Sequence, residues 1–237
     1  MIIKHNFYLI ILTILLSWSF YPAYADSLKN DFGLWTAVNI NTPITKKFQS
    51  RFQMSPRWLD NSTNFNQLIL HALLGYKFNE HLSFFQGYAW STLYRPNFTR
   101  EQRPYQDLLI THNINKISLE HRFRFEERFL QDVEGISLRA RYKLKGTYPL
   151  DKNEKWSLVL FDELFFNLNS HSKGPEVGLD QNRIYIGINH KFNENISSDL
   201  GYQLQQLNPP RSSINRFNHF IFFYLNFFLP ALVSSKT

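Results

Sequence analysis

A chain of 237 residues with a formal charge of +7 and no cysteine can carry neither a disulfide scaffold nor a thiolate metal site. Its basic residues are interleaved with apolar ones rather than gathered into a tail, which argues against a nucleic-acid partner and for anionic lipid headgroups. The 23 Phe and 12 Tyr favour strands and membrane interfaces.

The chain opens on Lys4 and His5, then an apolar run over 7–20 broken only by Thr13, Ser17 and Ser19, then Ala23-Tyr24-Ala25 before Asp26. That order is the pattern of a secretory signal peptide. Cleavage is expected after Ala25, which makes 1–25 the leader and 26–237 one exported domain. The leader's apolar run falls short of the ~20 residues of a spanning helix, and the longest later candidate, Phe220 to Leu225, is shorter still. A mature chain that crosses a membrane must therefore do so as a closed sheet.

From there, alternation with a period of two dominates, which is the strand signal. It predicts eleven strands: 31–40, 46–58, 65–79, 82–94, 105–115, 117–130, 135–145, 155–167, 181–193, 196–207 and 216–228. Most of these runs hold 10–14 residues. Strands of soluble proteins are nearer ~5–6, whereas a tilted membrane strand needs ~9–11. Tight polar turns at 79–81, 115–116 and 193–195 alternate with longer loops at 95–104, 168–180 and 208–215, where Pro96, Pro104, Pro175, Pro209 and Pro210 are expected to stop a ladder. Short turns at one end and long loops at the other suit an outer-membrane barrel. Two connectors break the rhythm: 131–134 is too short and 146–154 too long. Bacterial single-chain barrels have even strand counts, so twelve strands are expected, with ten as the second choice.

The faces carry the chemistry. In the sixth strand, Ile117, Leu119, His121, Phe123 and Phe125 oppose Ser118, Glu120, Arg122, Arg124 and Glu126. In the seventh, Ile136, Leu138, Ala140, Tyr142 and Leu144 oppose Ser137, Arg139, Arg141, Lys143 and Lys145. The ninth sets Ile184, Ile186, Ile188 and Phe192 against Arg183, Tyr185, Asn189 and Lys191. Each strand thus has an apolar and a polar face. In a membrane barrel the polar row turns inward, since Arg or Lys on the lipid side near mid-bilayer costs ~2–4 kcal/mol. Cross-strand spacing of ~4.5–5.5 Å then lets Glu120 and Glu126 pair with Arg122, Arg124, Arg139 and Arg141. Glu163 can join from the eighth strand, where Asp162 and Glu163 cannot both face inward. Arg183 belongs to the same inward row. Three Gly-Tyr pairs, Gly75-Tyr76, Gly87-Tyr88 and Gly201-Tyr202, put glycine on the inner face, where a large neighbour can pack over it, and tyrosine on the outer.

Such a ladder fills a polar lumen; a charge-selective pore and a catalytic site are the other readings. His121 and His190 fall on apolar faces, and His71 and His112 can face inward. No serine stands at a motif spacing from either. G-x-S-x-G, H-E-x-x-H and a phosphate-binding loop are all missing. No cofactor or metal is expected, and an enzyme is the less favoured reading. The final run, 216–228, sets Phe223, Leu225 and Phe227 in an alternating row of the kind read by barrel-assembly machinery, although the chain continues to Thr237.

The segments around Trp35, His121-Arg122-Phe123-Arg124-Phe125-Glu126-Glu127-Arg128-Phe129, Ser137-Leu138-Arg139-Ala140-Arg141-Tyr142, Asp162-Glu163-Leu164-Phe165 and Asn182-Arg183 through Gly201-Tyr202 resemble an uncharacterised, domain-of-unknown-function family of Gram-negative outer-membrane proteins. The resemblance implies an all-β transmembrane barrel of roughly 200 residues in the cell outer membrane, and no activity. The expected partners are outer-membrane lipids, lipopolysaccharide among them, and the assembly machinery. The expected state is a monomer, and a structural or narrow-pore, porin-like role is favoured. The alternatives are a lipid-modifying or lipid-binding barrel and a soluble, lipocalin-like binder.

Overall fold

The computed structural model describes residues 29–94, 97–208 and 216–233. The expected leader, Pro96 and the tip of the last long loop with Pro209 and Pro210 lie outside them. The described residues form eleven strands and no helix: β1 (Lys29–Pro43), β2 (Phe48–Leu59), β3 (Asn64–Lys77), β4 (Leu82–Leu93), β5 (Thr99–Ile114), β6 (Ile117–Leu130), β7 (Ser137–Pro149), β8 (Trp156–Asn167), β9 (Gly178–Lys191), β10 (Ile196–Leu207) and β11 (Arg216–Phe228).

The strands close into one barrel in sequence order. Each pairs antiparallel with the next, while β1 and β11 close the ring in parallel, from Lys29↔Arg216 to Asn41↔Phe228. This corrects the expected twelve strands, and the second choice of ten, to eleven. An even count presumes antiparallel closure. When sequential neighbours alternate in direction, an odd ring leaves its first and last strands running the same way, and a parallel ladder supplies the missing seam.

Two boundaries also move. β5 begins at Thr99 rather than 105, so Pro104 lies inside a strand. It pairs with Tyr88 of β4, but the β5–β6 register skips from Gln102↔Phe129 to Tyr105↔Glu126. The ring without an N–H therefore costs the sheet one local gap rather than a strand. β7 runs on to Pro149, which shortens the anomalous 146–154 connector to 150–155. The connector after β6 lengthens to 131–136. Both departures from the turn–loop rhythm are thereby reduced.

The alternation sorts side chains as expected. Glu126, Arg124, Arg139 and Arg141 point into the barrel and are buried, whereas Phe123, Phe125, Ile186 and Leu200 point out and are exposed. Two aromatic girdles ring the outside. At one rim Trp58, Phe65, Tyr94 and Phe98 form a chain of ring contacts 5.0–5.6 Å apart. A register shift after Arg57 turns Phe65 outward to join them. At the other rim Phe48, Tyr76 and Phe78 touch, as do Trp156, His190 and Phe192. On β4, Phe84 pairs with Tyr76 of this second girdle. From Phe84 to Tyr94 the strand runs roughly 33 Å. A tilt of ~40° makes that about 25 Å along the axis, the height of an outer-membrane apolar band.

Inside, glycines admit aromatic rings. A Cβ on Gly75 would stand 2.4 Å from the ring of Phe85, and one on Gly87 would stand 2.4 Å from that of Tyr105. At Gly201 it would meet the backbone of β9 at 2.4 Å and Tyr185 at 2.7 Å. The Gly-Tyr pairs therefore do place glycine beneath an inward ring, with Tyr88 and Tyr202 exposed on the outer face.

Candidate functional site: a braced, basic lumen

The lumen has two unlike walls. Along β5–β9 runs a continuous network of ion pairs. Glu126, fully buried, accepts from Arg139 at 2.6 Å and Arg141 at 2.6 Å. Glu163 accepts from Arg141 at 2.5 Å and also from Arg122. Asp107 takes a two-pronged bond from Arg124, Nε to Oδ1 at 2.6 Å and Nη2 to Oδ2 at 2.7 Å. Glu101 binds Arg103 at 2.7 Å and Arg128 at 2.7 Å, and Asp180 binds Arg139 at 3.0 Å. Bidentate, charge-assisted bonds of this kind fix the planes as well as the distances of the guanidinium groups.

All eight residues expected in the ladder face the lumen, but three differ in partner. Glu120 meets Lys143 at 3.5 Å rather than an arginine. Glu163 is a hub of the network, and Asp162 faces outward, where its Oδ1 accepts from Asn182. Among the described residues no carboxylate lies within ion-pair distance of Arg183, whose Nη2 donates to the Gln181 side-chain oxygen instead. Glu101, Arg103, Asp107, Arg128 and Asp180 escaped the sequence reading. Three of them lie on the stretch of β5 that Pro104 disguised as loop or on the face left unassigned beside it. Opposite charges at one-residue alternation, Glu101, Arg103 and Asp107, were the available signal.

His71 does face inward, its Nδ1 3.0 Å from the Tyr105 hydroxyl oxygen. His112 does not: odd positions of β5 point inward, so it lies outside, stacked on His121 at 5.2 Å. His121 in turn bonds the Tyr142 hydroxyl at 2.8 Å. Among the described residues no cluster of three or more His, Asp or Glu side chains is arranged to hold a metal ion.

The second wall, along β1, β2 and β8–β11, is aromatic: Trp35, Val159, Tyr185, Phe220 and Phe222 pack together. Arginines lie on rings of both walls, Arg124 3.9 Å from the centre of Tyr105, Arg141 4.1 Å from Phe165 and Arg57 3.3 Å from Trp35. Stacking of this kind holds a guanidinium flat without a hydrogen bond.

Between the walls lies a cavity of about 1070 Å³. Eleven strands leave more room than the eight of a barrel that side chains just fill, so the ladder braces the lumen without closing it. Twelve Lys and Arg side chains line the cavity against six Asp and Glu. The imbalance is sharpest at Arg57 and Arg183. Their guanidinium carbons lie 3.3 and 4.8 Å from the centre of the same Trp35 ring. Two like charges about 8 Å apart or closer repel by about 2 kcal/mol or more at an effective dielectric of ~20.

Comparison with known proteins shows a family and no activity. Over 170 residues, 68% of this chain and 73% of the relative, the sequence is 30% identical to an uncharacterized protein of Methylorubrum extorquens. No solved structure matches the chain. Residues 32–218, from the first strand to the start of the last, match the family described as protein of unknown function (DUF2490), and the chain belongs to that family.

Proposed function

We propose that the protein is an integral outer-membrane barrel, exported with loss of residues 1–25, whose basic lumen serves as a narrow, anion-preferring passage. The observation that carries this reading is the outer surface: two aromatic girdles about 25 Å apart along the axis, with exposed Leu74, Leu108, Ile110, Phe123, Ile186 and Leu200 between them. A soluble lipocalin-like barrel turns such rows inward, to bury them from water. The twofold excess of cations along the cavity supports anion preference, since the sign of the lining charge sets the sign of ion a pore admits.

Cell fractionation with gel migration before and after boiling is the first test. A membrane barrel is expected in the outer-membrane fraction, migrating differently once boiled. Recovery in the periplasmic fraction, with identical migration, sinks the membrane reading. In planar bilayers, stepwise conductance with reversal potentials favouring anions is expected. A silent but correctly inserted barrel would leave only the structural role.

One observation favours a lipid-acting barrel as the second reading: His112, His121 and Tyr142 join on the outer face, within reach of acyl chains and headgroups. Lipid A and phospholipid profiles of a deletion strain that match wild type discount it.

A further inference from the structure

Arg57 and Arg183 lie on one indole and lack the carboxylate partner that Arg103, Arg122, Arg124, Arg128, Arg139 and Arg141 have. Arg57 donates from Nη1 to the side-chain oxygen of Gln67 at 2.9 Å, and Arg183 from Nη2 to that of Gln181 at 3.3 Å. Both acceptors are neutral. Among the described residues no carboxylate oxygen comes within 4 Å of either group. Glu163 faces the same lumen, but its Oε1 is held by Arg122 and Arg141. The Nε of each arginine is buried without a hydrogen-bond partner, and Arg183 is only 9% exposed. Both side chains line the cavity. A buried guanidinium left with unfilled donors is costly, and two of them side by side are costlier. Arg51, which also lines the cavity without an ion pair, at least fills its Nε by donating to Asn41 Oδ1 at 2.8 Å; at Arg57 and Arg183 the sequence supplies only Gln67 and Gln181, and Nε stays unfilled.

We infer that Arg57 and Arg183, both resting on the Trp35 indole, form a binding site for the oxyanion group of a small soluble solute, a phosphate or phosphate ester. Guanidinium forks match tetrahedral oxyanions with paired N–H donors. The indole fixes Arg57 against its ring while its own Nε1 donates to Ser55 Oγ at 2.7 Å, so the platform cannot swing away. β1, β2 and β9 each contribute one residue, so the site exists only in the closed barrel. The inference deepens the proposed anion-preferring lumen by naming the group that would bind and where.

The test uses the full mature chain, refolded in detergent and shown to be folded by its altered gel migration. Titration calorimetry with inorganic phosphate at constant ionic strength should show saturable binding, at least tenfold tighter than chloride. The variants R57Q and R183Q should each weaken phosphate binding tenfold or more, while R100Q, outside the lumen, should not. R57K and R183K keep the charge and lose the fork. They are expected to bind several-fold more weakly, and they stand in if a Gln variant fails to fold. Three results overturn the site: no saturable binding to the folded wild type, chloride binding as tightly as phosphate, or wild-type affinity in both arginine variants. A response to short-chain phosphatidate without one to inorganic phosphate overturns the soluble ligand. A chain whose migration never changes on boiling fails the barrel reading instead, so the two failures are distinguishable.

Discussion

Glu126 shows how much of the lumen hangs on single groups. Its carboxylate sits between Arg139 and Arg141, with Arg103 at 3.7 Å and Arg124 at 3.8 Å. Removing one partner of a buried pair is worse than never having had the pair, because the charges left behind are neither solvated nor matched. E126A is expected to destabilise the barrel by about 3–5 kcal/mol, read as a lower urea midpoint for the loss of the fast-migrating form. Equal midpoints for E126A and wild type would contradict the hub role. The pairing of Glu126 with Arg139 and Arg141 was legible from alternation alone. The acids that complete the network were not, because period-two reading assigns a face and says nothing of which diagonal partner a long arginine reaches. Inward aromatics such as Trp35 and Phe220 were equally hidden, since a rule that sends apolar residues to the lipid side cannot see rings that serve as plates for arginine.

At the scale of strands and turns, sequence periodicity located all eleven elements, with most ends within a few residues. It failed where a strand tolerates a proline or runs on past its charges. The Gly87–Tyr105 contact is a cross-strand device that only register reveals. G87V should cost about 1–3 kcal/mol through overpacking, and pairing it with Y105L should return part of the loss in the same urea assay. If the double variant is no better than the single, the ring is not what glycine accommodates. Turns carry their own logic. Asp151, between β7 and β8, accepts the backbone N–H of Trp156 at 2.7 Å, and this bond, reinforced by the amides of Lys155 and Asn153, holds its carboxyl below the ordinary value. A carboxyl whose pKa is lowered on folding stabilises the turn above its unfolded pKa and stops doing so as pH falls through the folded one. Exchange of the Trp156 amide is therefore expected to speed up on acidification below about pH 4, beyond the intrinsic pH dependence. In D151N that acid-induced change should vanish.

For the whole molecule, parity is the lesson. The residue pattern yields eleven strands when taken at face value, and a general rule about even counts argued one more into being. The chain obeys instead a requirement of geometry, that an odd ring include one parallel pair. That seam has a consequence for engineering. β1 leaves one rim and β11 arrives at the other, about 40 Å of strand away by their thirteen paired residues. Domains whose ends lie together can be cut open elsewhere and rejoined by a short linker. Here a linker from the end of β11 to the start of β1 would have to thread the lumen or cross the apolar belt, so the natural order of the strands cannot be circularly permuted without rebuilding the barrel.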